Sequence, residues 1–241
     1  MKISFIIPAY NEEKYITDCL AALLKETARM SPEVASEIFV VDNNSTDGTG
    51  KAAANFPGVT VLEEKKKGAN WARTRGLQET TGDLVAYIDA DTKMPEGWIA
   101  TAVKEFKNNP ALVSLTGPYI YYDMSSLGKV FIWLYWTIIA TPAYWVTGYL
   151  AVGGNVIAKR DALLKIGGFD TKIAFYGDDT DLARRLAQVG KVGFSHSLHM
   201  YTSARRFYGD GILKSAWHYM LNFASIVLLH KPATKEYKDI R

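Results

Sequence analysis

Cysteine is almost absent from this 241-residue chain: Cys19 stands alone, which excludes an internal disulfide framework and a multi-cysteine zinc site. Its neighbours Ile16, Leu20 and Leu23 place that thiol on the apolar face of a helix, where a buried thiol is its ordinary role. Excess charge of one sign is also scarce. The formal net charge is only +3 and the basic residues are scattered, so nucleic acid is not expected as a partner. The basic run Lys65-Lys66-Lys67 reads first as a solvated loop, although it can meet a phosphate or an anionic surface. No internal repeat, low-complexity tract or clear linker appears. The apolar run after Lys2 is too brief for a signal-peptide core, and a cytosolic active site is expected.

What is present is globular composition, 48% hydrophobic and 22% charged, on a chain long enough for one substantial core. Strands are expected at residues 3–7, 37–41, 59–62 and 84–88, alternating with helices at 12–29 and 69–79 and one reaching Phe106 with Pro95 in its first turn. Such alternation predicts an α/β fold with a mainly parallel central sheet flanked by helices, ligands collecting at the carboxyl ends of its strands. Asp42 and Asp89 fall at two such ends. The second half is less regular: strands are expected at 112–122 and 152–158, with short ones at 192–194 and 198–202, and helices at 161–166 and 179–189. One domain spanning 1–241 is preferred, with a donor-binding half at 1–110, an acceptor-side half at 111–208 and a carboxyl-terminal helix within 209–241.

Two aspartate clusters frame the chemistry: Asp89-Ala90-Asp91 after an apolar run, and Asp178-Asp179-Thr180-Asp181 opening an amphipathic stretch. They suggest transfer from a nucleotide-activated donor, because a diphosphate leaving group calls for a divalent cation and an incoming hydroxyl needs a base. Hard oxygen ligands and phosphate favour Mg2+ or Mn2+ over zinc as that cation. Taken alone, Asp89-Ala90-Asp91 reads first as an aspartate-rich strand-to-helix turn that caps the helix, and turn or cap roles account for Asn11, Asn44 and Asp47. Asp181 reads as a cap or as a partner of Arg184 or Arg185.

In order and spacing, Pro8-Ala9-Tyr10-Asn11-Glu12-Glu13, Val41-Asp42-Asn43-Asn44-Ser45-Thr46-Asp47-Gly48, Asp89-Ala90-Asp91, Gly167-Gly168-Phe169 and Gly177-Asp178-Asp179-Thr180-Asp181-Leu182 overturn the cap reading of the first cluster. From Ile3 to about Arg206 the chain resembles the family 2 glycosyltransferases, whose nucleotide-sugar-binding fold is the Rossmann-like GT-A fold. By that resemblance Pro8, Ala9, Tyr10 and Glu12 line the base and ribose pocket, and Asp42 accepts a hydrogen bond from the base. Asp91 binds the cation, and Asp89, joined to it by Ala90, faces the ribose or a metal-bound water. Gly68 and Arg73 contact the donor diphosphate, and of Arg205-Arg206 more weight falls on Arg206, surface pairing being the plainer role for Arg205 and Arg75. Asp179 matches the family's catalytic base and Asp178 stands where glutamate is usual, so the choice between the two is open, with Asp179 preferred.

The resemblance implies an inverting transfer from a nucleoside-diphosphate sugar, UDP-linked first with GDP and dTDP as alternatives, to a carbohydrate or lipid-linked acceptor. The Gln-x-x-Arg-Trp motif of processive synthases is absent, which favours single-sugar transfer. Competing readings are a nucleotidyltransferase, against which the chain lacks that family's Gly-rich, Arg-containing amino-terminal loop, and a noncatalytic nucleotide-sugar or glycan-binding module. His196 and His199 are candidate metal ligands, although isolated histidines are more often structural. Gly153-Gly154-Asn155 falls beside the sugar by family position or forms a tight turn.

From Val130 to Ala158 no residue is charged, and Trp133, Trp136 and Trp145 lie in this stretch. A single membrane crossing there would put Asp91 and Asp179 on opposite sides, and Pro142 and Gly148 are expected to interrupt the helix. The stretch is therefore read as part core and part aromatic surface, a candidate peripheral contact with the inner face of the cytoplasmic membrane. A second apolar helix is expected at 211–229.

Overall fold

Ile3, Phe5 and Ile7 of the first strand enter one apolar core while Ile6 enters another, which is why the strand reads as an unbroken apolar run. The protein is seen here in a computed structural model that describes residues 1–234; residues 235–241 of the expected segment 209–241 lie outside the described residues. The chain begins with β1 (Lys2–Ala9), α1 (Ile16–Thr27), β2 (Ala35–Asp42), α2 (Thr49–Ala54), β3 (Val59–Glu63), α3 (Ala69–Glu79) and β4 (Leu84–Ile88). Next come β5 (Thr92–Lys93), α4 (Trp98–Asn108), β6 (Leu112–Thr116) and β7 (Tyr119–Tyr121). One long helical stretch follows, made of α5 (Ser126–Leu134), a π-helical segment (Tyr135–Ala140) and α6 (Thr141–Thr147). The remainder is β8 (Asn155–Lys159), α7 (Arg160–Ile166), α8 (Asp178–Leu186), β9 (Lys191–Phe194), a 3-10 turn (His196–Leu198), β10 (Met200–Thr202), α9 (Arg205–Asp210) and α10 (Ile212–Leu229).

The seven-stranded sheet runs β3-β2-β1-β4-β8-β6-β9, and only β8 is antiparallel to its neighbours. Helices α1 and α4 cover one face with Leu20, Leu23, Trp98 and Phe106, and α3, α7 and α8 cover the other with Leu77, Leu163, Leu182 and Leu186. From β1 the order departs in one direction to β2 and β3 and in the other to β4. Such a switch opens a crevice at the carboxyl ends of the strands. A small sheet, β5-β10-β7, is built from segments that follow the carboxyl ends of β4, β9 and β6.

Several expected boundaries move for local reasons. The strand expected at 112–122 divides into β6 and β7 because Pro118, lacking an N–H, cannot carry a ladder through. The helix expected from Glu12 starts at Ile16, since Asn11 takes a left-handed φ of 53° and the chain turns before α1 begins. Pro142 does not interrupt the long helix. The π-helical segment directly before it has already widened the hydrogen-bond pattern, and the helix ends instead at Gly148, whose φ is 75°.

Asn155, fully buried at the start of β8, joins the two halves. Its Oδ1 accepts from Trp98 Nε1 at 2.9 Å, and its Nδ2 donates to the carbonyls of Gly117 at 3.0 Å and Leu198 at 2.7 Å. Asn155→Ala would strand one buried donor and two acceptors, and leaving such groups unsatisfied costs roughly 1–3 kcal/mol each before any relaxation. We expect this variant to lower the unfolding free energy by about 3 kcal/mol in urea titration, with the denaturant slope unchanged.

Candidate active site

The crevice begins with a cleft lined by Pro8, Ala9 and Tyr10 at the end of β1, Asn43 just beyond β2, and Lys67, Gly68 and Ala69 at the start of α3. Asn43 shapes it: its Nδ2 donates to the carbonyls of Glu64 at 2.9 Å and Lys66 at 2.7 Å, and its Oδ1 accepts from Gly68 N at 2.7 Å. Gly68 has a φ of 131°, a conformation that a side chain would oppose, and leads directly into α3. Lys67 is held over the Tyr10 ring at 4.7 Å, so part of the basic run belongs to the cleft wall. Asp42 ends β2 beside it, its Oδ1 accepting from Ser45 N at 3.0 Å. By sequence, Asn43 is expected only as part of the 41–48 motif, and Lys67 first as part of a solvated loop able to meet a phosphate; their residue types alone do not mark them as the cleft's shaping groups.

Beyond the cleft the two aspartate clusters meet around Arg73 on α3. Its Nη1 donates to Asp178 Oδ2 at 2.9 Å and to Asn70 Oδ1 at 2.9 Å, while Nη2 lies 3.2 Å from Asp89 Oδ1. The guanidinium also sits 4.5 Å from the Phe169 ring centroid. Burial alone would make Arg73 easier to deprotonate, but Asp178 and Asp89 outweigh it and hold the charge. The other oxygen of Asp89 accepts from Tyr119 Oη at 3.0 Å. Gly154 makes this packing fit: a Cβ there would lie 2.0 Å from Asp89 Cγ and 2.3 Å from Tyr119 Oη. Close backbone approach, rather than a turn alone, thus explains that glycine.

Asp91 turns to a different arginine. Arg205 Nε lies 2.9 Å from Asp91 Oδ2, and its Nη1 and Nη2 donate to the buried Glu12 at 2.8 and 2.6 Å. This fork places Arg205, and not Arg206, against the acidic centre. Arg206 packs over the Phe175 ring at 4.1 Å and lies 4.0 Å from Asp210, one turn along α9. Residues 205 and 206 are adjacent on a helix and point in different directions, a distinction invisible in the pair Arg-Arg. Asp181 pairs with both Arg184 and Arg185, at 2.9 and 2.7 Å.

Asp178 and Asp179 open α8. Asp179 Oδ1 accepts from Thr180 N at 2.7 Å, whereas Asp178 is bound to Arg73. Burial lifts Asp178 to about 7 against the pull of Arg73, with the Asp179 charge adding to the rise. Burial raises Asp179 as well, opposed by the backbone N–H of Thr180. Burial also takes Asp91 to about 7; Arg205 opposes the rise and Asp89 and Glu12 add to it. Asp91, partly buried and paired with Arg205, and Asp89, between Arg73 and Tyr119, are the hard oxygen donors here that could hold a divalent cation. Among the described residues no cluster of three or more His, Cys, Asp or Glu completes a cage, so further ligands would come from a bound molecule. His196 instead hydrogen-bonds Thr141 at 3.0 Å and His199 meets the Tyr201 ring edge-on.

The sequence profile of Glycosyl transferase family 2 matches residues 4–167, more than half of the chain. The chain belongs to that family. Similar proteins include the glucosyl-dolichyl phosphate glucuronosyltransferase of Haloferax volcanii, 26% identical over 74% of this chain and 59% of the relative. The glycosyltransferase AglE of the same organism is 33% identical over 42% of this chain and 34% of its own length. The chain therefore spans less than two thirds of the length of these curated relatives. Among solved structures, the mannosyltransferase PcManGT of Pyrobaculum calidifontis, in complex with GDP-Man and Mn2+, superposes with a TM-score of 0.69 at 22% identity, covering 95% of this chain and 63% of that one. TarS 1–349 of S. aureus with UDP gives 0.67 at 16% identity, covering 98% and 68%. These neighbours establish the GT-A fold for this family 2 chain.

The carboxyl of Asp178 carries a stability consequence. Its folded pKa, about 7, lies above the ordinary 3.8, so the stability it contributes is fully present below the unfolded value and is lost as pH rises through the folded one. Unfolding free energy should fall across that window. In Asp178→Asn the fall should be shallower between about pH 4 and 7, as read by urea titrations at a series of pH values.

Proposed function

We propose that the chain is an inverting, metal-dependent glycosyltransferase that moves one sugar from a nucleoside-diphosphate sugar, UDP-linked first, to a hydroxyl of a lipid-linked or glycan acceptor at the face of a membrane. The observation that carries this reading is the Arg73 bridge, which holds Asp89, at the carboxyl end of β4, against Asp178, next to Asp179. Names of similar proteins support the substrate classes: one solved neighbour holds GDP-Man with Mn2+, another holds UDP, and one relative acts on a dolichyl phosphate.

In this reading the nucleoside occupies the cleft of Pro8, Ala9, Tyr10, Asn43 and Gly68, with Asp42 accepting from the base and Lys67 facing the phosphates. Asp91 and Asp89 would hold Mg2+ or Mn2+, which when bound neutralises charge on the departing diphosphate. Asp179 takes the proton of the acceptor hydroxyl as its oxygen bonds to the anomeric carbon. The bond to the diphosphate breaks on the opposite face, its electron pair leaving with the nucleoside diphosphate, so the configuration inverts. Asp179 suits the base better than Asp178 because Asp178 is committed to Arg73. A base with a raised pKa also works closer to neutral pH. Arg73 positions both acidic elements, and Arg205 holds Asp91 and Glu12 in register.

Turnover of a nucleotide-sugar panel, scored as nucleoside diphosphate released with and without lipid-linked acceptors, tests this directly. We expect release to require Mg2+ or Mn2+ and to fall by about 10²–10⁴-fold in Asp179→Asn, the scale of a lost general base. Asp91→Ala should abolish the metal dependence together with the activity. Pyrophosphate as the product would indicate nucleotidyl transfer instead, and donor binding without release would indicate a binding module.

A further inference from the structure

The helical stretch Ser126–Thr147 is apolar on two opposite sides. One side is fixed to the fold at intervals of four residues. Ile132 packs beside Met124, Ala204 and Phe207; Trp136 Nε1 donates to the Tyr119 carbonyl at 3.1 Å; Ala140 is buried; and Tyr144 Oη donates to the Val192 carbonyl at 3.1 Å. The other side, Leu127, Phe131, Ile138 and Trp145, stands in water, with Ile138 63% and Trp145 74% exposed. Monomers in water seldom leave so continuous an apolar stripe bare. By length and composition this is the one helix among the described residues able to cross a membrane.

Charge narrows the partner. Lys129 is the only ionised side chain from Met124 to Ala158, and α10 with its flanks, residues 211–234, carries Lys214 and Lys231 and no acid. All three lysines are exposed. Helix α10 follows closely on Phe207 of the shared apolar cluster and exposes Trp217, Leu228 and Leu229. Exposed tryptophans beside lysines, without carboxylates, suit the headgroup region of an anionic bilayer better than a second protein surface.

We propose that this face is a membrane dock, on which Ser126–Thr147 lies in the plane of an anionic bilayer surface instead of crossing it. Crossing would strip away Trp136, Ala140 and Tyr144, which tie the inner side to the sheet. The inference rests on the transferase reading for its purpose: Tyr119, whose carbonyl receives Trp136, also holds Asp89, so a docked chain keeps its acidic centre beside the membrane where a lipid-linked hydroxyl is found.

Vesicle co-sedimentation of the full chain tests it. Binding should be strong to phosphatidylcholine vesicles containing about 30% phosphatidylglycerol, weaker to phosphatidylcholine alone, and reduced by salt. The combined variant Phe131→Ser, Ile138→Ser, Trp145→Ser should bind at least about ten-fold more weakly while its nucleoside diphosphate release with a water-soluble acceptor stays unchanged. Quenching of tryptophan fluorescence by brominated lipids, compared between the native chain and Trp145→Phe, reads the same contact without removing the stripe. Equal vesicle binding by the combined variant, no quenching of Trp145, or a stable dimer that covers this face and ignores vesicles would overturn the dock. Vesicle binding without nucleoside diphosphate release would support the dock and sink only the transferase reading; release without vesicle binding would do the reverse.

Discussion

Arg73 lies buried between Asp89, just past β4, and Asp178, at the first turn of α8, bonded to both. A guanidinium without partners would be strongly disfavoured in that position, and two carboxylates brought together without it would repel each other. The three groups are therefore stable there only as a set. Because α3 carries the arginine, the parallel half of the sheet and the later helix α8 are held in one relative placement, and the Asp179 carboxylate is carried with it. Removing Arg73 would leave Asp89 and Asp178 without the cation between them, a larger disturbance than losing an exposed ion pair.

The same logic extends outward. Arg205 closes a second bridge, from Asp91 to Glu12, and links α9 back to the turn after β1. Gly154 contributes by what it lacks, since a side chain there would occupy the space of Asp89 and Tyr119. Asn155, the next residue, ties the Gly154 loop to Trp98, Gly117 and Leu198 through neutral hydrogen bonds. The loop is thus rigid where it meets the acidic centre. Charges are placed by charges, and the backbone that approaches them is placed by an amide.

The exposed helix follows a different constraint. Its inner side must follow the sheet edge, and the π-helical segment at Tyr135–Ala140 adjusts the spacing so that Trp136 and Tyr144 both reach partners. Among the described residues nothing covers the outer side. A helix that satisfies its backbone and one apolar side while baring the other combines a fixed attachment with an open contact surface.

Much of the fold was legible in the order of residues. Apolar runs at 3–7 and 84–88 emerge as β1 and β4, residues 69–79 as α3, and the aspartate clusters stand at strand and helix ends because local periodicity and turn chemistry act over a few residues. Pairings across long separations were not legible. Arg205 and Arg206 have the same side chain, and only the helical direction of α9 turns the first onto Asp91 and the second onto Phe175. Asn43 and Lys67 resembled ordinary loop residues until β2 and α3 brought them to one cleft. Sequence alone determined the alternating elements, the acidic residues available for chemistry and the uncharged stretch after Lys129, since these depend on neighbours along the chain. Tertiary structure decided which arginine neutralises which carboxylate and which side of that stretch meets water, because burial and electrostatic compensation are set by groups that only folding brings together.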